Sequence, residues 1–175
     1  MSQSISRLKE LVREVPDFPQ PGISYKDITT LLKNGEGLRG AIEAMLLPFE
    51  KEDIDLVVGV ESRGFIMGTP IAMQLGCGFV PVRKPGKLPA STIRQEYTLE
   101  YGMDAVEIHQ DAVERNQKIL MVDDLLATGG TMQAACQLVE RLGADIIGIS
   151  FLIELVFLHG RQRLDGYHIE SLIQY

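Results

Sequence analysis

The stretch KILMVDDLLATGGT, Lys118 to Thr131, limits what this chain can fold into more than any other. Its apolar run, Ile119 to Val122, reads as a strand covered on both faces. That strand ends in two adjacent carboxylates, Asp123 and Asp124, and the chain then turns through Ala127, Thr128, Gly129, Gly130 and Thr131 into a helical pattern. Small residues let several backbone N–H groups converge on one point. Thr128 and Thr131 add hydroxyls, and the following helix adds its positive N-terminus, so the loop suits a phosphate. The two carboxylates cannot bind phosphate as well. They suit diol hydroxyls or a divalent cation, so the natural guest is a sugar phosphate. A P-loop needs a lysine just before its serine or threonine, which this loop lacks, and no G-x-G-x-x-G follows a strand here. The plainer alternative, a tight turn with helix-capping aspartates, accounts for an isolated Asp-x-x-Gly better than for this unbroken run.

The rest of the chain repeats the strand-then-helix pattern. Strands are read at 55–60, 78–82, 118–124 and 145–155, with helices at 64–76 and 131–143 between them. Such alternation predicts an α/β fold, a central, mainly parallel sheet flanked by helices and wound by right-handed crossovers. Ligands in such sheets sit beyond the carboxyl ends of the strands. A first helix is expected from Ile5, Leu8, Leu11, Val12 and Val15, capped by Ser4, before PDFPQPG breaks it. A second is expected over Leu38, Ile42, Met45 and Phe49. With 175 residues and no repeat or low-complexity stretch, one domain over 1–175 is expected. Within it, 83–104 holds two prolines, two glycines and four basic residues with little apolar periodicity. So long and polar an excursion reads as a lid loop.

Composition narrows the function. A net charge of −7 argues against nucleic acid or an anionic membrane as partner. No apolar run approaches the ~20 residues of a spanning helix, and the N-terminus lacks a signal-peptide pattern, so a cytoplasmic location is expected. Cys77 and Cys136 read as small buried hydrophobes. His109, His159 and His168 are scattered and are assigned no chemistry.

ILMVDDLLATGGT resembles the phosphoribosyl-pyrophosphate motif of the type I phosphoribosyltransferase family. FPQPGISYKDIT (18–29), VESRGF (60–65), RKPGKLP (83–89) and YTLEYG (97–102) resemble, in order and at similar spacing, segments of the family's adenine-using branch. The resemblance covers most of the chain. It implies transfer of ribose 5-phosphate from phosphoribosyl pyrophosphate to adenine, giving AMP and pyrophosphate, with Mg2+ held mainly by substrate and water and by no direct protein ligand. It also implies a homodimer.

Residue roles follow from the same resemblance. Ala127 to Thr131 would cradle the 5-phosphate, and Asp123 and Asp124 would hold the ribose hydroxyls directly or through water. Glu61, Ser62, Arg63 and Gly64 would form a pyrophosphate loop containing a non-proline cis peptide, with Arg83, Lys84, Lys87 and Tyr101 contributing. Arg63, Lys87 and Glu100 would be catalytic, and Glu100 and Tyr101 lie in the lid. Solvated surface lysines remain the alternative for Lys84. The base would sit under a hood made by residues 1–35, read by backbone around Ile23 and Lys26 and stacked on Tyr25, which could equally be core. An arginine is common in the family where Lys26 stands. A different purine, hypoxanthine, guanine or xanthine, is the second reading. A sensor of phosphoribosyl pyrophosphate that binds DNA is the third, disfavoured by charge and length.

Overall fold

The computed structural model describes residues 2–99 and 102–175, and the chain divides into two compact units, Met1–Ala44 and Met45–Tyr175. In the first, helix α1 (Ser2–Glu10) is followed by strands β1 (Arg13–Val15) and β2 (Tyr25–Asp27), the short helix α2 (Thr29–Leu32) and most of α3 (Gly35–Leu46). Leu8, Val12, Ile28, Leu31, Ala41 and Ile42 are its buried apolar side chains. Two expectations fail here. Helix α1 already includes Ser4, so Ser4 is not its N-cap, a position that needs non-helical backbone. Nor does the helix reach Val15. That residue precedes Pro16, which disfavours helical backbone, and it pairs instead with Tyr25 in an antiparallel ladder. The connecting turn holds a cis Phe18–Pro19 bond.

The second unit is built on a five-stranded sheet. Its strands are β3 (Leu56–Val60), β4 (Gly78–Val82), β7 (Lys118–Leu126), β8 (Asp145–Glu154) and β9 (Ile169–Gln174), in the order β4-β3-β7-β8-β9. Every neighbouring pair is parallel. Helix α4 (Arg63–Leu75) connects β3 to β4, and α5 (Gly130–Arg141) connects β7 to β8. The expected parallel α/β sheet is therefore present. Val57, Val58, Ile119, Leu120, Met121 and Val122 are wholly buried, which is why the strands read as continuous apolar runs. Gly76 closes α4 in the left-handed conformation at φ 71°, where a side chain would be strained.

Two features were not legible as strands. The last, β9, lies at the sheet edge, and its residues are mostly half-buried, so polar residues interrupt any apolar signature. The segment expected as a lid loop is an antiparallel hairpin, β5 (Thr92–Leu99) with β6 (Gly102–His109), paired from Thr92–His109 to Leu99–Gly102. Arg83 extends this pairing by a bridge to Glu107. Ala105, Val106 and Ile108 are buried on β6, so the hairpin is anchored at its base rather than structureless. Its tip, residues 100–101, lies outside the described residues.

Tight packing has left marks in the glycines. Phe49 is fully buried, and its ring occupies the space where a Cβ on Gly148 would stand. Gly148→Ala should therefore overpack the core and lower stability by about 1–3 kcal/mol, read as a drop in Tm; an unchanged Tm would show that the ring can shift freely.

Candidate active site

The chain leaves β3 through α4 toward one edge of the sheet, and leaves β7 through α5 toward the other. Neighbouring strands whose connections diverge leave a crevice beyond their carboxyl ends. β3 and β7 are such a pair. A pocket of about 420 Å³ opens there, and Glu61, Ser62, Arg63, Lys84, Asp123, Asp124 and the whole of Ala127 to Thr131 line it. Sixty residues of sequence separate its two halves; strand pairing brings them together.

At the end of β3 the Glu61–Ser62 peptide is cis, as the resemblance implied. Gly64 follows, buried against β7. A Cβ on Gly64 would lie 2.9 Å from both Asp123 Oδ1 and the Val122 carbonyl oxygen, so only glycine lets α4 start this close. Arg63 Nε sits 2.9 Å from Asp124 Oδ2. On the opposite wall Gly129 takes φ 83° and leads into α5, whose first residues complete the loop expected to hold phosphate.

Electrostatics divide the site. Asp124 is 4% exposed, and Asp123 keeps only part of its surface toward the pocket. Desolvation, joined by the neighbouring Asp124 charge, pushes the Asp123 carboxyl well above the usual carboxylate range. Desolvation raises Asp124 too, opposed by Arg63. For Glu61 burial acts in the same upward direction, yet the Lys84 N–H bond and Arg83 outweigh it and hold the group below its ordinary value. Lys84 N donates to Glu61 Oε2 at 2.7 Å.

The basic residues have distinct positions. Lys84 is on the pocket wall; its Nζ donates to the Tyr97 hydroxyl at 2.7 Å and to Asp104. Burial would lower the Lys84 ammonium, but Asp104 and Tyr97 more than compensate and raise it. Arg83 instead backs Glu61, with Nε 3.3 Å from Oε2, and donates from Nη1 to the Lys87 carbonyl at 3.2 Å. The Lys87 side chain is exposed. Neither Arg83 nor Lys87 lines the pocket. Glu100 and Tyr101 lie outside the described residues.

The residues expected to read a base belong to the first unit. Ile23 is 39% exposed and its carbonyl accepts from Phe18 N at 3.2 Å. Tyr25 is met edge-on by Phe18 with centroids 5.2 Å apart. The Lys26 ammonium lies 2.7 Å from Glu14 Oε1. The sequence alone assigns no role to Phe18, Tyr97 or Asp104. A phenylalanine next to a proline-rich turn, and an acid and a phenol inside a basic excursion, were the available signals.

Among the described residues no three His, Cys, Asp or Glu side chains gather as a metal cage. The two pocket aspartates nevertheless fit Mg2+, which keeps several waters and is commonly held by one or two carboxylates together with substrate phosphates. Also among the described residues, no helix is long and apolar enough to cross a membrane.

The raised Asp123 carboxyl yields a test. A carboxylate whose folded pKa lies above its unfolded value contributes its full stability only below the unfolded value, near 3.9, and loses it as pH rises through the folded one. At neutral pH the ionised group is thus a liability. Asp123→Asn keeps an oxygen for the Asp124 N–H bond of 2.9 Å and should raise stability by about 1 kcal/mol, roughly 2–4 °C in Tm, at pH 7.5. The gain should shrink toward pH 4; a variant less stable than the parent at pH 7.5 would refute this account.

Comparison with known proteins gives a consistent answer. The phosphoribosyl transferase domain family matches residues 27–168. The adenine phosphoribosyltransferase of Desulfitobacterium hafniense is 57% identical over 164 residues, covering 94% of this chain and 95% of that protein. The crystal structure of adenine phosphoribosyltransferase from Rhodothermus marinus superposes with a TM-score of 0.96 at 50% identity, covering all of both chains. The Saccharomyces cerevisiae adenine phosphoribosyltransferase, complexed with an imino-altritol bisphosphate and adenine, gives a TM-score of 0.93 at 38% identity over 98% of this chain and 99% of that one.

Proposed function

The chain belongs to the adenine phosphoribosyltransferases of the phosphoribosyl transferase domain family, and from that premise we propose how its residues share the work. The enzyme transfers ribose 5-phosphate from phosphoribosyl pyrophosphate to adenine, releasing AMP and pyrophosphate, a purine-salvage reaction. The observation that carries the assignment of roles is the single pocket in which a neutral phosphate loop, two aspartates, Arg63 and Lys84 face one another.

In this reading the backbone of Ala127 to Thr131 and the hydroxyls of Thr128 and Thr131 hold the 5-phosphate at the start of α5. Asp123 and Asp124 take the ribose hydroxyls, directly or through water. Arg63 and Lys84 neutralise the departing pyrophosphate beside the turn of Glu61, Ser62 and Gly64, and Arg83 keeps Glu61 in place. Lys87 and Tyr101 reach the pyrophosphate from the lid. The base is read by main-chain groups around Ile23 and Lys26 and packs on Tyr25, with Lys26 itself engaged by Glu14. Mg2+ bound to the pyrophosphate, with Asp123 and Asp124 acting on it through ordered water, would add positive charge where the leaving group gathers negative charge. The hairpin of β5 and β6 keeps water from a sugar whose anomeric carbon becomes cationic. The family resemblance implies a homodimer, and the charge and N-terminal pattern favour a cytoplasmic enzyme. Ile66 and Met73, two turns apart on α4 and exposed, are apolar surface that a second copy would cover.

Two experiments test this function. With phosphoribosyl pyrophosphate, Mg2+ and each of adenine, hypoxanthine, guanine and xanthine, nucleotide should form with adenine. Hydrogen-bond donors and acceptors are reversed in hypoxanthine, and such mismatches discriminate by ~10⁴ or more. Comparable kcat/KM for both bases would overturn the choice of adenine and leave the sugar-phosphate site standing.

The second concerns Glu100, which in this reading takes the proton of the incoming base. General-base assistance is typically worth ~10²–10⁴-fold. Glu100→Gln keeps the size but cannot accept the proton, so the single-turnover rate should fall about a hundredfold with substrate binding little changed. A loss below roughly fivefold would show that Glu100 is not the base.

A further inference from the structure

Beside the pocket lies an ion pair, a buried glutamate held by a partly exposed arginine, with no part in the chemistry above. Glu154, the last residue of β8, is 4% exposed. Arg161 Nε donates to its Oε1 at 2.8 Å and Nη2 to its Oε2 at 2.9 Å, a bidentate fork. The same guanidinium donates to the Ile169 carbonyl at 3.0 Å and the Ser171 hydroxyl at 3.1 Å, and Ser171 Oγ donates to Glu154 Oε2. Arg161 is thereby fixed to both β8 and β9. Residues 155–160 form a turn whose two ends this pair ties together.

Gly160, the residue before Arg161, is buried at the end of that turn. A Cβ there would lie 2.2 Å from the Ala127 carbonyl oxygen and 2.9 Å from Leu126 Cδ1. In return, a Cβ on Gly129 would stand 2.5 Å from the Gly160 carbonyl oxygen. Two backbones touch here with no side chain between them, and one of them is the phosphate loop. Leu155 N donates to Leu126 O at 2.9 Å and fixes the near end of the same turn.

We propose that Glu154 and Arg161 are positioning residues for substrate binding: their ion pair closes the 155–160 turn and so seats Gly160 against Ala127 and Gly129, holding the phosphate loop in its binding conformation. A loop that presents converging N–H groups loses affinity when its backbone drifts. Misplacement of about 1 Å can cost as much as ~10²-fold, and a binding site is only as exact as its support. The bidentate arginine suits this task because its planar fork fixes orientation as well as distance. The proposal rests on reading 127–131 as the phosphate loop.

The test uses the full-length enzyme and ribose 5-phosphate, which lacks the base, with calorimetric Kd and steady-state KM as readouts. Glu154→Gln and Arg161→Met should each raise the Kd for ribose 5-phosphate and the KM for phosphoribosyl pyrophosphate about tenfold, leaving KM for adenine within about twofold. Arg161→Met strands the buried Glu154 carboxylate and should lower Tm; Glu154→Gln leaves only a partly exposed guanidinium and should lower it less. The double variant strands no buried charge, so its Tm should recover relative to Arg161→Met while its KM for phosphoribosyl pyrophosphate stays raised. Gly160→Ala, which leaves the ion pair intact, should show the same kinetic signature and decides the matter if the charge variants do not fold. Recovery of KM together with Tm in the double variant would overturn the proposal. So would an equal rise in KM for adenine, or an unchanged Kd in Gly160→Ala. Thr128→Ala separates the two readings. If it leaves ribose 5-phosphate affinity unchanged, the phosphate loop itself is wrongly assigned; if it weakens binding while the clamp variants do not, only the clamp fails.

Discussion

Everything chemical in the second unit depends on how closely the start of α4 approaches the end of β7. With no Cβ, Gly64 comes to rest against Asp123 and the Val122 carbonyl, and Arg63 is thereby delivered to Asp124 at 2.9 Å. One missing side chain thus joins an arginine following β3 to a carboxylate of β7. The parallel pairing of β3 with β7 sets this geometry, and the divergence of their crossovers keeps the space above them open. A larger residue at 64 would move the helix, and with it the cationic wall of the pocket.

The arrangement of charge explains why the chain tolerates two adjacent aspartates, one buried and one half-buried. Burial disfavours ionising either of them, and a single guanidinium beside the pair offsets only part of that. Such groups persist where function needs them. Here they would meet hydroxyls and a hydrated cation, while the phosphate loop carries no formal charge and relies on backbone dipoles. In the proposed reading, opposite demands of one substrate, anionic at its phosphates and neutral at its ribose, would be met by different segments a few residues apart.

The hairpin joins this design at several points. Lys84 faces the pocket but is bonded to Tyr97 on β5 and Asp104 on β6. The beginning of α5 is also close to this ribbon, since a Cβ on Gly130 would lie 3.4 Å from the Tyr97 ring. Arg141, at the far end of α5, donates to the Arg94 carbonyl at 3.0 Å. The hairpin is thereby fastened to the helix whose N-terminus is proposed to hold the phosphate. An excursion that reads along the chain as a lid loop is an ordered hairpin because its partners come from elsewhere.

Local segments carried most of what could be read in advance. The strand of β7, the two aspartates and the loop from Ala127 to Thr131 are contiguous, so the sequence by itself determined that they stand together, in the short run a backbone anion site requires. The parallel sheet was legible for the same reason, because strands buried on both faces are written as unbroken apolar runs. Edge strand β9, the pairing of β1 with β2 and the hairpin of β5 with β6 were not, since half-exposed strands mix polar and apolar residues and owe their conformation to partners distant in sequence. Only the tertiary structure decided that Arg83 supports Glu61 rather than lining the pocket, that Lys84 is tied to Asp104, and that Gly160 presses on the phosphate loop. Those contacts arise between residues 22, 20 and more than 30 positions apart. Long-range packing settles such contacts, and no local pattern records them.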